Sequence, residues 1–101
     1  MAKKICTLEP ILEKIRGKWK LSIIHNLNQI DAIRYSDLFR LIPEISQKVL
    51  TSQLRGLEKD GLVTRKIYPE VPPKVEYSLT EKGLSLCPVL SLLAEWADEN
   101  I

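Results

Sequence analysis

Ser46-Gln47-Lys48-Val49-Leu50-Thr51-Ser52-Gln53-Leu54-Arg55-Gly56-Leu57-Glu58-Lys59-Asp60-Gly61 reads as one amphipathic helix with a marked start and stop. Ser46 is an N-cap type, whose side-chain oxygen can accept a backbone N–H that the first turn leaves unpaired. Gly61 suits the left-handed position that closes a helix. Advancing about 100° per residue from Leu50 puts Leu54 at about 40° and Leu57 at about −20°, so three leucines make one narrow apolar stripe. Lys48, Ser52, Arg55 and Lys59 fall within about 40° of the opposite pole, and Gln47 and Thr51 flank it. One face is leucine; the other is hydrogen-bonding groups under a positive charge. Glu58 has Lys59 and Arg55 within local reach, so part of that charge can be paired.

The flanks of this helix make it part of a larger unit. Upstream, Ser36 is a good N-cap for a short helix, Asp37 to Ile42, which Pro43 ends. Two capped helices joined by the tight Pro43-Glu44-Ile45 turn form a helix-turn-helix, in which the second helix enters the major groove with its N-terminal residues facing base edges. Here those are Ser46, Gln47, Lys48, Thr51 and Ser52, with Arg55 one turn further on. Downstream the hydrophobic period changes. Leu62 to Tyr68 is rich in β-branched and aromatic residues, and Val75, Tyr77 and Leu79 alternate with Glu76 and Ser78. The prolines of Pro69-Glu70-Val71-Pro72-Pro73-Lys74 exclude a central strand and stiffen a hairpin tip. Arg65, Lys66 and Lys74 are then placed to touch the flanking DNA backbone or minor groove, and Tyr68 either covers the base of the hairpin or reaches a phosphate. The expected fold is mainly α with a small β-hairpin: a winged helix-turn-helix filling residues 1–101 as a single domain.

The remaining segments complete that domain. Leu8, Ile11, Leu12 and Ile15 recur at helical spacing, with Pro10 in the first turn and Gly17 as a stop. A second helix is expected from Lys18 to about Leu27, with Trp19, Ile23, Ile24 and Leu27 as its apolar set, followed by a connection from Asn28 to Ile33. Thr80 caps a last helix running to about Asp98, which Pro88 should bend or divide. Its apolar residues, Leu86, Val89, Leu90, Leu92, Leu93 and Trp96, spread wider than one stripe. Part of that surface can cover the chain's own core. Leu86, Leu90, Leu93 and Trp96, with Leu8, Ile11 and Leu12 of the first helix, are the candidate interface of an isologous homodimer.

Composition narrows the function classes. The 101 residues are 45% hydrophobic and 28% charged, which argues against disorder. The net charge is +2, but residues 46–74 carry six basic against three acidic side chains while the C-terminal segment is acidic. A polyanion would therefore meet the helix and hairpin just described. No apolar run approaches the roughly 18–20 residues that span a membrane, and no apolar core follows Lys3 and Lys4 as in a signal peptide. Cys6 and Cys87 make no disulfide scaffold and fit a cytoplasmic setting with free thiols. With His25 as the single histidine, neither a histidine metal cage nor a Ser-His-Asp triad has the material it needs, and no Gly-rich phosphate loop appears. No enzyme, metal or cofactor is expected. The competing class is a winged-helix module whose basic face binds an acidic protein partner.

These residues also carry a family likeness. From Cys6 through Trp96 the chain resembles the HxlR-type winged helix-turn-helix transcriptional regulators of bacteria. The matching pieces are Gly17-Lys18-Trp19, Ile45-Ser46-Gln47-Lys48-Val49-Leu50-Thr51 and Leu54-Arg55-Gly56-Leu57-Glu58-Lys59-Asp60-Gly61-Leu62-Val63. They continue through Tyr68-Pro69-Glu70-Val71-Pro72-Pro73-Lys74-Val75-Glu76-Tyr77-Ser78-Leu79-Thr80. The resemblance implies a dimeric repressor or activator on double-stranded DNA, with an inverted-repeat operator to match a two-fold protein. It further implies that Cys6, in the N-terminal place of a sensing cysteine, responds to an oxidant or electrophile. Thr7, where the family often has proline, is a departure beside that cysteine.

Overall fold

The computed structural model describes the backbone of residues 2–101 and the side chains from residue 9 onward; the expectations for Cys6 and Leu8 lie outside the described side chains. Five helices and three short strands follow in the order α1 (Ala2–Ile15), α2 (Lys20–Gln29), β1 (Ile33–Arg34), α3 (Tyr35–Leu41), α4 (Gln47–Lys59), β2 (Val63–Tyr68), β3 (Lys74–Leu79) and α5 (Glu81–Asn100). A helical start, a helix-turn-helix and a β-wing thus succeed one another, and the expected winged-helix class is what the chain adopts.

The helix ends show why the local sequence folds as it does. Ser46 Oγ accepts the Val49 N–H at 3.1 Å and opens α4. At the other end Gly61 sits at φ 77°, while Leu62 N–H donates to the Leu57 carbonyl and Gly61 N–H to the Glu58 carbonyl. That pair of bonds is the Schellman closure, which glycine reaches without steric cost. Thr80 Oγ1 accepts the Gly83 N–H at 3.1 Å and donates to the Gly61 carbonyl at 2.6 Å, so one hydroxyl both caps α5 and ties it to the end of α4.

Leu50, Leu54 and Leu57 are each at most 1% exposed, as the wheel requires. They meet Ile23, Ile24 and Leu27 of α2, Leu38 of α3, and Leu62 and Val63 at the start of the wing. Removing such a side chain from water contributes about 1.5–3 kcal/mol, so this cluster is what holds α4 against the rest.

Four expectations need correction. The connection Asn28–Ile33 ends in a strand: Ile33 and Arg34 pair antiparallel with Tyr77 and Glu76, giving a three-stranded sheet in the order β1-β3-β2. Because that strand hands directly into a helix, Arg34 rather than Ser36 is the N-cap of α3, and Ser36 lies inside its first turn. Helix α1 starts well before Leu8, so Pro10 is an interior residue and not part of a first turn. Of the two expectations for Pro88, a bend or a division, the division does not occur: α5 runs as one helix from Glu81 to Asn100. Pro88 and Leu84, the residue whose carbonyl loses its partner, are both exposed, so water can serve the group that proline leaves unpaired.

The wing has two chemically different faces. The β2–β3 register pairs Val63 with Leu79, Arg65 with Tyr77 and Ile67 with Val75; it also pairs Thr64 with Ser78, Lys66 with Glu76 and Tyr68 with Lys74. Alternation places the first set on the side of Val63 and Tyr77, which are buried in the core, and the second on the outer side. Beyond the wing, every residue of α5 from Ser91 onward is exposed except Ala97.

Candidate nucleic-acid interface

Helix α4 turns its leucines inward, and that fixes what it turns outward. Gln47, Lys48, Ser52 and Arg55 are exposed, and together with Thr51 and Tyr35 they line an open cleft of about 600 Å³. Among the described residues neither Lys48 nor Arg55 forms an ion pair. Glu58 turns instead to the wing, where Arg65 Nε lies 3.7 Å from its Oε2; the local pairing with Arg55 or Lys59 is not formed. The positive side of α4 is therefore left for a ligand. Ser46, expected among the contacting residues, is exposed; its oxygen accepts the cap bond, which leaves its O–H free to donate.

The expected wing cations do not act as one set. Arg65 shares the Tyr77 side of the hairpin and helps to line a second cleft, about 400 Å³, with Arg34, Tyr35, Ser36, Thr51 and Pro73. Lys66 and Lys74 lie on the outer face, with their ammonium groups 4.9 and 4.8 Å from the centre of the Tyr68 ring. Lys74 Nζ is also 3.3 Å from Glu76 Oε2, and Tyr68 donates its hydroxyl to Glu76 Oε1 at 2.9 Å. Tyr68 hence lies along the outer face of the wing, with its hydroxyl proton engaged by Glu76. Its hydrogen bond, backed by Lys74 and Lys66, holds the Glu76 carboxyl below the usual carboxylate range against the opposing effect of desolvation.

Sequence reasoning missed Arg34, Tyr35 and Ser36. Tyr35 lies between the two clefts, with its ring tilted against Tyr77 at a centroid distance of 6.4 Å. Its hydroxyl donates to the Gln47 carbonyl at 3.1 Å and is 3.0 Å from Thr51 Oγ1. The usable signal was the residue type alone, because a half-buried tyrosine ring needs a partner for its polar tip; its place at the start of α3 was not legible.

On α5, Cys87 is buried on the side toward α2, with Sγ 3.5 Å from the Gly83 carbonyl, and desolvation raises its thiol pKa. No group of three or more His, Cys, Asp or Glu among the described residues could hold a metal ion, and no helix among them is long and apolar enough to cross a membrane.

A helix-turn-helix whose outward Lys48 and Arg55 form no ion pair among the described residues, followed directly by a β-wing, defines a winged-helix DNA-binding regulator. The chain belongs to the HxlR-like helix-turn-helix family, whose model matches residues 14–101. It is 54% identical over 89 residues to an HTH-type transcriptional regulator of Halalkalibacterium halodurans, BH0655, itself uncharacterised; the match covers 88% of this chain and 79% of that protein. Among solved structures it is similar to the redox regulator HypR in its reduced form, at 44% identity and a TM-score of 0.85, covering 93% of this chain and 92% of that one. It is likewise similar to the reduced transcriptional regulator YodB of B. subtilis, at 37% identity and a TM-score of 0.85, covering 93% and 91%. The chain is a transcriptional regulator of the helix-turn-helix type.

Proposed function

We propose that the protein binds duplex DNA as a homodimer, with α4 in the major groove and the wing against the flanking backbone. The observation that carries this reading is the outward face of α4, where Lys48 and Arg55 stand unpaired among the described residues beside Gln47, Thr51 and Ser52. Glutamine and arginine are suited to base edges, and lysine to phosphate. On the wing, Arg65, Lys66 and Lys74 are the residues for backbone contact. A cytoplasmic location follows from that reading.

The dimer reading rests on α5. Leu92, Leu93 and Trp96 are 56–66% exposed, as is Val89 at 58%, and Leu12 of α1 is 51% exposed. Leu86 and Leu90, by contrast, pack partly against the chain's own core and are half-buried. Between α2 and α5 runs an apolar groove of about 480 Å³ that includes Leu21, Leu90 and Leu93. A second copy of the same helices is the self-complementary surface that a two-fold dimer needs. Two recognition helices so related call for an inverted-repeat operator with half-sites about one helical turn apart, or a multiple of it.

The relative HypR is named a redox regulator. A redox or electrophile response here would act through Cys6, because Lys3 and Lys4 favour a thiolate there while Cys87 is buried with a raised pKa. Oxidant should then change the DNA affinity of the wild type and not of Cys6→Ser.

The deciding experiment for DNA binding is selection from random duplexes, followed by a salt titration on the selected site with wild type and Arg55→Ala. Arg55→Ala should melt like wild type and lose about 1–3 kcal/mol of binding. Undiminished affinity would show the basic face to be merely solvated. Absence of any salt-dependent duplex binding would leave an acidic protein as the partner of that face.

A further inference from the structure

We infer that Tyr35 is a positioning residue that sets which groups the first turn of α4 offers to a base pair. The inference rests on the reading of α4 as the recognition helix. Tyr35 is the first residue of α3, yet its hydroxyl lies against α4, 3.1 Å from the Gln47 carbonyl oxygen and 3.0 Å from Thr51 Oγ1. Its ring is held from the other side by Tyr77 of β3, so one side chain links the sheet, the first helix of the motif and the second.

The proton count decides what this does. A tyrosine hydroxyl has one proton to donate. With that proton on the Gln47 carbonyl, the short contact to Thr51 requires the threonine hydroxyl to donate to the tyrosine oxygen. In an ordinary helix a threonine hydroxyl can turn to the carbonyl four residues back, which for Thr51 is Gln47 itself. Here that carbonyl already accepts the Tyr35 hydroxyl as well as its own helical N–H, and both of its lone pairs are occupied. Thr51 is pinned in the rotamer that faces Tyr35, with its proton directed inward. Toward the groove it presents only acceptor lone pairs and a methyl group. Those suit the exocyclic amino group of adenine or cytosine and the methyl of thymine, and they give nothing to the N7 and O6 acceptors of guanine.

Thr51 is half-buried and lines both clefts, so it stands where α4 and the wing converge on one ligand. Gln47, whose backbone Tyr35 holds, is one turn earlier on the same side. Removing the tyrosine oxygen alone should leave the core unchanged and release the Thr51 hydroxyl, which then divides between the freed Gln47 carbonyl and rotamers that can donate to guanine.

Wild type, Tyr35→Phe and Thr51→Val are each used to select from random duplexes. Affinities are then measured for the wild-type-selected site and for unselected duplex, with circular dichroism confirming the fold. Tyr35→Phe should weaken the selected site about three- to tenfold, the worth of one neutral hydrogen bond, and leave unselected duplex unchanged. Its selected sequences should admit guanine at one position per half-site, the same position at which Thr51→Val loses discrimination. An unaltered preference and affinity ratio in a folded Tyr35→Phe overturns the inference and leaves the DNA-binding reading standing. So does an equal loss on all duplexes, or a broadened position that differs between the two variants. Failure of the wild type to enrich any sequence overturns both.

Discussion

Gly83→Ala and Gly56→Ala add the same methyl group to helix interiors, and the structure gives them opposite signs. At Gly83, on the first turns of α5, a Cβ would overlap the Leu62 carbonyl oxygen and lie 3.1 Å from Leu79 Cδ2 and 3.2 Å from the Leu62 carbonyl carbon. That carbonyl cannot step aside, because it accepts the Thr80 N–H at 3.1 Å where the wing meets α5. Relief requires α5 to shift, and the shift strains the Thr80 cap, which holds Gly83 N–H and the Gly61 carbonyl together. Overpacking costs about 1–3 kcal/mol and a weakened cap about 1 kcal/mol, against about 1 kcal/mol gained from the better helix former. The net expectation is a loss of about 1–3 kcal/mol, which for a domain of this size lowers Tm by about 4–8 °C per kcal/mol. At Gly56 a Cβ would meet only the flexible end of Lys20 at 3.8–3.9 Å, so alanine there should be neutral or stabilise by up to about 1 kcal/mol. Thermal melts of the two variants and wild type at one protein concentration read both effects. A Gly83→Ala protein melting at or above wild type would refute the packing argument, whatever Gly56→Ala does.

Glu76→Gln should tighten binding to every duplex and steepen the salt dependence by up to about one unit, because it releases Lys74 from its ion pair; an unchanged slope means Lys74 never reaches phosphate. The same carboxylate is held ionised to lower pH in the folded state than in the unfolded chain. Its contribution to stability is present above the unfolded pKa and is lost as pH falls through the folded one, so Glu76→Gln should flatten the acid limb of the stability curve. Leu93→Glu should give folded monomers by sedimentation, since Leu93 is 56% exposed in the single chain and a charge there is costly only against a partner. A wild type that sediments as a monomer ends the dimer proposal. In Cys6→Ser the remaining thiol, Cys87, should react with thiol reagents more slowly than an exposed cysteine, because it is 8% exposed in the lining of the α2–α5 groove; labelling as fast as a small free thiol would contradict that burial.

How much of this was legible depended on whether the decisive interaction was local. Ser46, Gly61 and Thr80 act on residues within one turn, and each was readable from its neighbours alone. The leucine stripe of α4 and the alternation in Val75 to Leu79 repeat often enough to declare a period. Two residues cannot declare one, and Ile33 and Arg34 are a strand only because β3, more than forty positions later, pairs with them. That pairing also moved the start of α3 off Ser36, so a distant contact overrode a good local cap. Pro88 fails to divide α5 for the converse reason: the rule against proline inside helices assumes that the freed carbonyl has no other partner, and on this exposed flank water is available.

The same division runs through the site. The outward set Gln47, Lys48, Thr51, Ser52 and Arg55 came from the wheel, since burying three leucines leaves the opposite face no other direction. Charge alone, however, did not distinguish Arg65 from Lys66, because neighbours on a strand point to opposite faces and only the register reveals which cation shares the side of α4. Nor did charge reveal that Lys66 and Lys74 sit against Tyr68 or that Glu76 already pairs with Lys74. A formal charge reports what a side chain can do, and its neighbours report how much of that remains for a ligand. By that measure Lys48, Arg55 and Lys59 of α4 and Arg34 before α3, with no ion pair among the described residues, have more left to give than Arg65, and Lys74, which has both an ion pair and the Tyr68 ring, has least.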